Sequence, residues 1–306
     1  MCEGTYGGQP PSKRSVVMTK QDLVAELKDT VESAKTVTVS VNRFGYTIDG
    51  NRYRRVTTLL GGIPKPALVG WGIKSVAEFA LEHKDQWEDL PKADALKLLK
   101  GSPYSKRDAA GDRGTAVHKT LEALITAGKE IPEDLTEDEQ ACADSATEFL
   151  VDRDAQILAS ELTVFNPSHG YAGTLDLWDI DKDGVPWILD WKTSKGIYGD
   201  HGVQQVAYQN AEFAVVQKQP VDGKKDTWTG KLIPWKREYA QSLGIVHVEP
   251  TGATLYTIAD PDKLWKVFRA AAFIKGWLLD SDSYRGKTPR EAVYLDPITV
   301  SNGGAK

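Results

Sequence analysis

Apolar and polar positions along this chain follow two periods, and the switches between them mark its elements. Helical spacing, with apolar residues recurring every three or four positions, runs over residues 21–34, 67–82 and 92–100. It returns over 112–127, where Val117, Leu121, Leu124 and Ile125 share a face and Gly128 supplies the stop. Residues 136–159 predict a second long helix, opened by Thr136 with Glu139 three positions on, the pattern of a capping box. Residues 203–217 predict another, with Val206, Ala207, Asn210, Phe213 and Ala214 at helical spacing, and 261–279 predict a closing helix. Alternation of period two predicts strands at 35–41, 161–165, 244–248 and 254–258, a hairpin at 46–56 around Asp49-Gly50-Asn51, and a second hairpin at 173–192. Gly61, Gly62, Pro64 and Pro66 break the pattern, and residues 220–241 read as irregular. The order of elements predicts one mixed α/β domain.

Composition narrows the class. With 306 residues, 41% hydrophobic and 26% charged, the chain can bury a substantial core. No apolar run approaches the roughly 18 residues of a membrane span, and the N-terminus lacks a signal-peptide layout, so a cytoplasmic protein with no membrane partner is expected. Residues 1–17, rich in Gly, Pro and Ser, are expected to be disordered, and Met18 offers an alternative start. Cys2 and Cys142 are the only cysteines, which excludes a disulfide framework, a four-cysteine zinc site and a cysteine-held iron–sulfur cluster. A metal would have to be held by His and carboxylates, a donor set that favours Mg2+ or Mn2+. No Walker motif is present, so no nucleotide cofactor is expected.

The net charge of -5 argues against a general nucleic-acid coat protein, yet the charge is uneven. Lys97, Lys100, Lys106, Arg107, Arg113 and Lys119 crowd one stretch, and residues 130–154 are strongly acidic; both also read as plain solvated surface.

The chemistry concentrates in the hairpin at 173–192. Strand residues two apart share a face, so Asp190 and Lys192 lie on one side, and the hairpin can bring Asp176 beside them. Two carboxylates with an adjacent ammonium suit metal-assisted phosphodiester hydrolysis. Asp179, Asp181 and Asp183 read as the solvated turn. Before the hairpin come His118 on a helix and Glu161 on a strand; after it come Gln204 and Tyr208, four apart on a helix. Each residue alone is unremarkable, since a lone His on an apolar helix or a D-x-K triplet is common.

In this order the segments resemble the RecB-like branch of the PD-(D/E)XK nuclease superfamily. They are R-G-T-A-V-H-K-T-L-E (113–122), G-T-L-D-L-W (173–178), I-L-D-W-K-T-S-K (188–195) and Q-Q-V-A-Y-Q-N-A (204–211), with V-T-T-L-L (56–60) as an entry, so the likeness covers 56–273. The resemblance implies a restriction-endonuclease-like core, a central mixed β-sheet flanked by helices. It implies that Asp176, Asp190, His118 and the Trp191 backbone carbonyl hold the metal, with Glu161 as a further acidic ligand placed by its spacing from Asp176. Lys192 would orient or activate the attacking water. Gln204 and Tyr208 would support the lysine and contact nucleic acid, and Arg107, Arg113 and Lys195 would contact phosphates. Relatives with iron–sulfur clusters differ from this chain, and a compact stand-alone nuclease of the mitochondrial type is the nearer likeness. In that type the stretch before the His helix forms an arch; here residues 67–106 correspond, with Trp71, Phe79, Trp87 and Tyr104 either stacking on bases or, for Trp71 and Phe79 above all, packing as core.

The expected organisation is a tail at 1–17, an N-terminal extension and arch at 18–110, a nuclease core at 111–280 and a tail at 281–306. The expected activity is a metal-dependent DNA exonuclease acting on single strands or ends in recombination, repair or replication, with a helicase or single-strand-binding protein as a possible partner; the compact format fits a phage enzyme. A flap or structure-specific endonuclease with the same core, and a non-catalytic nucleic-acid-binding protein, stay open. A carboxylate glycosidase would leave Lys192 and the Gln204/Tyr208 helix unexplained.

Overall fold

The protein is described from a computed structural model over residues 19–125 and 135–282, with the backbone alone for 106–113, 281 and 282. The tail at 1–17 and all but the first two residues of the one at 281–306 lie outside the described residues. The chain opens with α1 (Lys20–Ser33), then β1 (Thr36–Asn42), β2 (Gly45–Ile48) and β3 (Asn51–Arg55), followed by α2 (Val56–Leu59), α3 (Pro66–Glu82), α4 (Lys92–Ile125) and α5 (Glu137–Arg153). There follow β4 (Gln156–Asn166), β5 (Tyr171–Ile180), β6 (Pro186–Lys192), α6 (Gly199–Gln209), β7 (Phe213–Pro220) and β8 (Thr227–Pro234), and the chain closes with β9 (Ser242–Glu249), β10 (Gly252–Thr257) and α7 (Pro261–Asp282).

Seven of the strands close on themselves in the order β5-β3-β2-β1-β8-β7-β4 and back to β5. The β3–β5 contact is parallel and the other contacts around the ring are antiparallel, so the barrel is mixed. The remaining strands, β6, β9 and β10, extend from β5 as an open wing. The expected restriction-endonuclease-like core, an open central sheet flanked by helices, is therefore not the architecture. The closing seam explains why. β4 is paired along both edges, to β5 and to β7, with Val164 opposite Ala214 and Phe165 opposite Phe213. β8 carries the ring from β7 back to β1, with Val37 opposite Gly230. Both β7 and β8 were hidden in the sequence. Residues 213–217 continue the helical spacing of α6 but pair as a strand, and β8 lies in the stretch that reads as irregular.

Three clusters of buried side chains fill the spaces this creates. Val37, Val39, Ile48, Phe165, Ala172, Val215 and Trp228 come from six strands of the ring and from no helix, so they are the barrel interior. Tyr171, Leu175, Val206, Tyr208 and Phe268 pack α6 and α7 on the outside of the barrel. Val117, Leu121, Cys142, Leu177, Leu189, Trp191 and Val246 pack α4 and α5 against the wing. The strands before residue 56 and those after residue 155 thus share one sheet.

Besides α6, which ends at Gln209 rather than 217, two helices differ from expectation. α4 runs unbroken through Gly101 and Pro103, where the sequence predicts a break between 100 and 112. A proline inside a helix leaves the carbonyl four residues back without its N–H, and the Ser102 hydroxyl donates to that carbonyl, Leu99 O, at 3.0 Å. α5 starts with the expected capping box, Glu139 N–H donating to Thr136 Oγ1 and Thr136 N–H to Glu139 Oε2. It stops at Arg153 rather than 159 because Asp154 turns left-handed, with φ of 45°, and the chain then enters β4.

The aspartates of the β5–β6 hairpin also need correction. Asp179 is fully buried and takes an ion pair from Arg153 at 2.9 Å, with the guanidinium stacked over Trp187. Burial raises its carboxyl above the usual range, and Arg153 only partly offsets this. Asp181 is nearly buried and caps the turn, accepting from Asp183 N, Val185 N and Trp187 Nε1. Only Asp183 is a solvated turn residue.

The barrel seam generates a direct test. A Cβ on Gly230 would lie 2.6 Å from Val215 Cγ1 and 2.7 Å from the Val216 carbonyl oxygen, and the carbonyl cannot move without breaking the β7–β8 ladder. Gly230→Val is expected to cost about 1–3 kcal/mol or more, as overpacking does. An unchanged urea midpoint would show that β7 and β8 do not meet as described.

Candidate metal centre

The wing and the barrel part company on β5. Along one edge, Tyr171 and Ala172 pair with β3, whereas Leu177 to Ile180 pair with β6. Between them, Gly173 to Asp176 have no strand on that edge. The neighbouring packing changes side at the same point: Leu175 faces the α6/α7 cluster and Leu177 the α4/α5 cluster. Across the other edge, the ladder to β4 omits the pair Glu161/Asp176, and Glu161 has φ of 50°. A non-glycine residue in the left-handed region inside a strand is uncommon and is held there against a cost of about 1–3 kcal/mol.

The site occupies this fork. Where the β5–β6 ladder stops, the Asp176 carboxylate takes its place: Trp191 N–H donates to Asp176 Oδ2 at 2.9 Å. The Trp191 carbonyl accepts from His118 Nε2 at 2.9 Å and from Lys192 Nζ at 3.3 Å. A carbonyl can only accept, so His118 carries its hydrogen on Nε2 when neutral. Its Nδ1 then presents a lone pair, 3.6 Å from Asp176 Oδ2. Glu161 completes a group in which one donor atom each from His118, Glu161 and Asp176 lie within 4.8 Å of one another. Two carboxylates and an imidazole lone pair converging, with the other ring nitrogen fixed by a backbone carbonyl, are the donor set and the outer support that a divalent cation requires. The residues present fit such an ion.

Beside this group lies a second row. Asp190 is fully buried and forms an ion pair with Lys192. Gln204 Nε2 bridges Asp190 Oδ1 at 3.3 Å and the Tyr208 hydroxyl at 3.0 Å. Burial raises the Asp190 carboxyl, the Lys192 charge opposes that, and Asp176 adds to the rise. Burial works to lower the Lys192 ammonium, but Asp190 and Asp176 outweigh it and hold it above its usual value. The two directions pull apart, one favouring a neutral acid and the other an ion pair. The lysine decides between them, because its ammonium meets Asp190, the Trp191 carbonyl and the field of Asp176 together and stays charged. Tyr208 is buried, and burial pushes its hydroxyl well up, so it serves as a neutral hydrogen-bonding group.

The glycines of the motifs have physical roles. A Cβ on Gly173 would lie 2.4 Å from Tyr208 Cε1, so only glycine lets the Tyr208 ring close over β5. A Cβ on Gly114 would lie 3.3 Å from Thr193 Oγ1, where α4 passes the end of β6. From this end of α4 a groove of about 430 Å³, lined by Gly114, Thr115, His118, Lys119, Glu122 and Glu161, opens onto the candidate centre.

The structure therefore brings His118, Glu161 and Asp176 together, with Asp190, Lys192, Gln204 and Tyr208 adjacent. It places the Asp190 carboxylate against Lys192 and Gln204 and outside the three-donor group, and the Trp191 carbonyl between His118 and Lys192. Lys195 is exposed on the loop after β6. The side chains of Arg107 and Arg113 lie outside the described residues. In the region expected to form an arch, Trp71 is 41% and Tyr104 59% exposed, whereas Trp87 is held by a hydrogen bond from its Nε1 to the Ala80 carbonyl and Phe79 packs on His83.

Sequence reasoning missed Tyr46, whose hydroxyl shares a 2.9 Å hydrogen bond with Thr174 Oγ1 at the mouth of the fork, and Arg55, whose guanidinium sits 5.7 Å from the Tyr46 ring. Their only sequence signal is alternation in two short strands, which does not show that the barrel delivers them to β5.

No protein-family model matches this chain, and comparison with curated proteins finds no match. Among the described residues no helix is long and apolar enough to cross a membrane.

Glu161 separates strain from chemistry. Glycine tolerates a φ of 50° and alanine does not. Glu161→Gly is thus expected to be more stable than Glu161→Ala by about 1 kcal/mol, while both lose affinity for Mn2+ in calorimetric titration. Equal stability of the two variants would remove the strain, and undiminished Mn2+ binding would remove Glu161 from the centre.

Proposed function

We propose that this protein is a divalent-metal-dependent nuclease that hydrolyses phosphodiester bonds in DNA, acting on single strands or free ends. The observation that carries the reading is the convergence of His118, Glu161 and Asp176 within 4.8 Å, with a lysine held charged beside them by Asp190. The likeness to RecB-like nucleases supports it at the level of the site, through the order His118, Asp176, Asp190, Lys192, Gln204 and Tyr208, and not at the level of the fold. The preference for ends rests on that likeness.

His118, Glu161 and Asp176 would hold Mg2+ or Mn2+. Such an ion supplies charge to polarise a phosphate and makes water more acidic. The rest falls to the chain itself. Lys192, fixed by Asp190 and by the Trp191 carbonyl at 3.3 Å, offers its remaining N–H to an attacking water or a phosphate oxygen, where charge develops. Asp190 keeps that ammonium protonated and pointed. Gln204, braced by Tyr208, keeps Asp190 in place. His118 is oriented by the same carbonyl that Lys192 touches, so metal centre and lysine share one backbone reference point.

The test is digestion of end-labelled linear and circular DNA, single- and double-stranded, with Mg2+ or Mn2+. Linear single strands are expected to be degraded. Lys192→Ala and Asp190→Ala are each expected to lower the rate by about 10²–10³-fold, the usual effect of removing one charge-stabilising group. Cleavage of circles as fast as linear strands would replace the exonuclease with an endonuclease. A parent protein inactive on every substrate with both metals would sink the proposal.

A further inference from the structure

A pocket lies away from the candidate centre, on the barrel wall where the β1–β2 turn, β3, the turn before β5 and α7 meet. It has a volume of about 660 Å³, within the range of sites that hold a small organic ligand. Its polar lining is cationic. Arg52 and Arg54 enter from β3 and Arg269 from α7, with His169 at the rim. Arg54 is paired with Asp280 at 2.6 Å, and the Arg269 guanidinium lies over the Trp265 ring at 6.0 Å. The Arg54 guanidinium lies against Gly276, where a Cβ would come within 3.1 Å, so α7 is shaped to let this arginine lie flat. No carboxylate lines the pocket among the described residues; the nearest in effect are Asp280 and Glu212, whose charge reaches Tyr53.

The apolar lining is aromatic and of two kinds. Tyr53 and Phe268 form a floor, the latter fully buried. Phe44, from the β1–β2 turn, and Phe273, from α7, also line it, with 74% and 78% of their surface exposed, which burial alone would not select. Arg43 stacks on Phe44 at 4.6 Å, adding charge to that wall. Guanidinium groups beside exposed aromatic rings are the combination that takes a phosphate and an unstacked base together.

We propose that this pocket is a second binding site for nucleic acid, seating one or two nucleotides of a single strand, with phosphates on Arg52 and Arg269 and a base against Phe44 or Phe273. The assignment deepens the nuclease reading and rests on it for the identity of the chain bound. A strand is favoured over a free nucleotide because the turn that lines the pocket leads directly into β5, the strand that carries Asp176 of the candidate centre. Gly170 lines the pocket and Asp176 belongs to the centre, six residues on. At the strand rise of about 3.3 Å per residue this is at most about 20 Å. A single strand stacked at about 3.4 Å per nucleotide covers that distance in about six nucleotides. Duplex cannot present a base to Phe44 or Phe273, so the site selects single strands.

The test uses the full chain in EDTA, which separates binding from cleavage, and fluorescence anisotropy with an oligothymidine dodecamer, a thymidine trimer and a duplex of the dodecamer's length. Phe44→Ala, Phe273→Ala and the charge reversal Arg52→Glu alter exposed groups on three elements, and melting curves matching the parent identify the variants to be compared. Each is expected to weaken dodecamer binding by about tenfold, the scale of one lost stacking contact, and to leave duplex binding unchanged. On the other side, the rate of trimer cleavage with Mn2+, which cannot bridge both sites, is expected to stay at the parent's value. Unchanged dodecamer affinity in all three variants overturns the proposal, as does binding of free thymidine monophosphate as tightly as the dodecamer. A parent that binds through this pocket but cuts nothing sinks the nuclease and leaves the site; a parent that cuts while the variants bind normally does the reverse.

Discussion

The hydrogen bond from Trp191 N–H to Asp176 Oδ2 is the contact on which the site depends. A strand edge that loses its neighbour must satisfy its backbone groups some other way. At Asp176 the barrel has taken β5 in one direction and the wing has taken β6 in another, and the carboxylate fills the place the ladder vacates. That single substitution of a side chain for a backbone partner does three things. It closes the fork, it holds that same carboxylate oxygen 3.6 Å from His118 Nδ1, and it fixes the peptide whose carbonyl orients both His118 and Lys192. A regular strand pair at this position would leave no gap in which a cation could sit.

Around that contact the electrostatics are arranged in layers. The three donors carry two negative charges in close quarters, which is unfavourable unless a cation joins them. Lys192 answers part of this from one side, and its own carboxylate partner, Asp190, is buried so deeply that it has no solvent to turn to. Gln204 and Tyr208 supply the polar contacts that water would otherwise make, and Gly173 is the absence of a side chain that lets Tyr208 approach. The motif residues thus act as one packed unit. Removing Tyr208 or filling Gly173 reaches Lys192 through Gln204 and Asp190 without touching the three candidate donors.

The residues that meet at the candidate site could be singled out in the sequence because they sit in short segments: the hairpin from 173 to 192, the helix with His118, the pair Gln204 and Tyr208. The architecture could not. Phe213, Ala214 and Val215 fit helical spacing as well as a strand, and what decides between them is β4 on one side and β8 on the other, with partners about fifty residues before and about twenty after. Local periodicity carries no information about such partners, so the segment that closes the barrel read as the end of a helix. The same limit governs Asp179. In D-I-D-K-D-G it looks solvated; its burial is set by Arg153, which reaches it from the end of α5 twenty-six residues upstream. Pro103 misled in the opposite sense, because the hydroxyl of the preceding serine mends the break that the proline makes.

The closed barrel also bears on what the site could become. An open sheet leaves a strand free to twist at its edge, and a left-handed residue such as Glu161 would relax. Here β4 is clamped between β5 and β7, so the irregular backbone at Glu161 has nowhere to go without opening the ring. The barrel interior, packed from Val37 to Trp228, holds that constraint in place from behind, while the wing and α4 bring His118 and Trp191 from the front. A barrel and a wing meeting along one strand set three candidate donors from three elements within 4.8 Å of each other, a precision that regular elements give better than loops. The fold differs from the one the motifs suggested; what it places together is a carboxylate, Asp176, at the point where the sheet divides, and a lysine, Lys192, on the next strand.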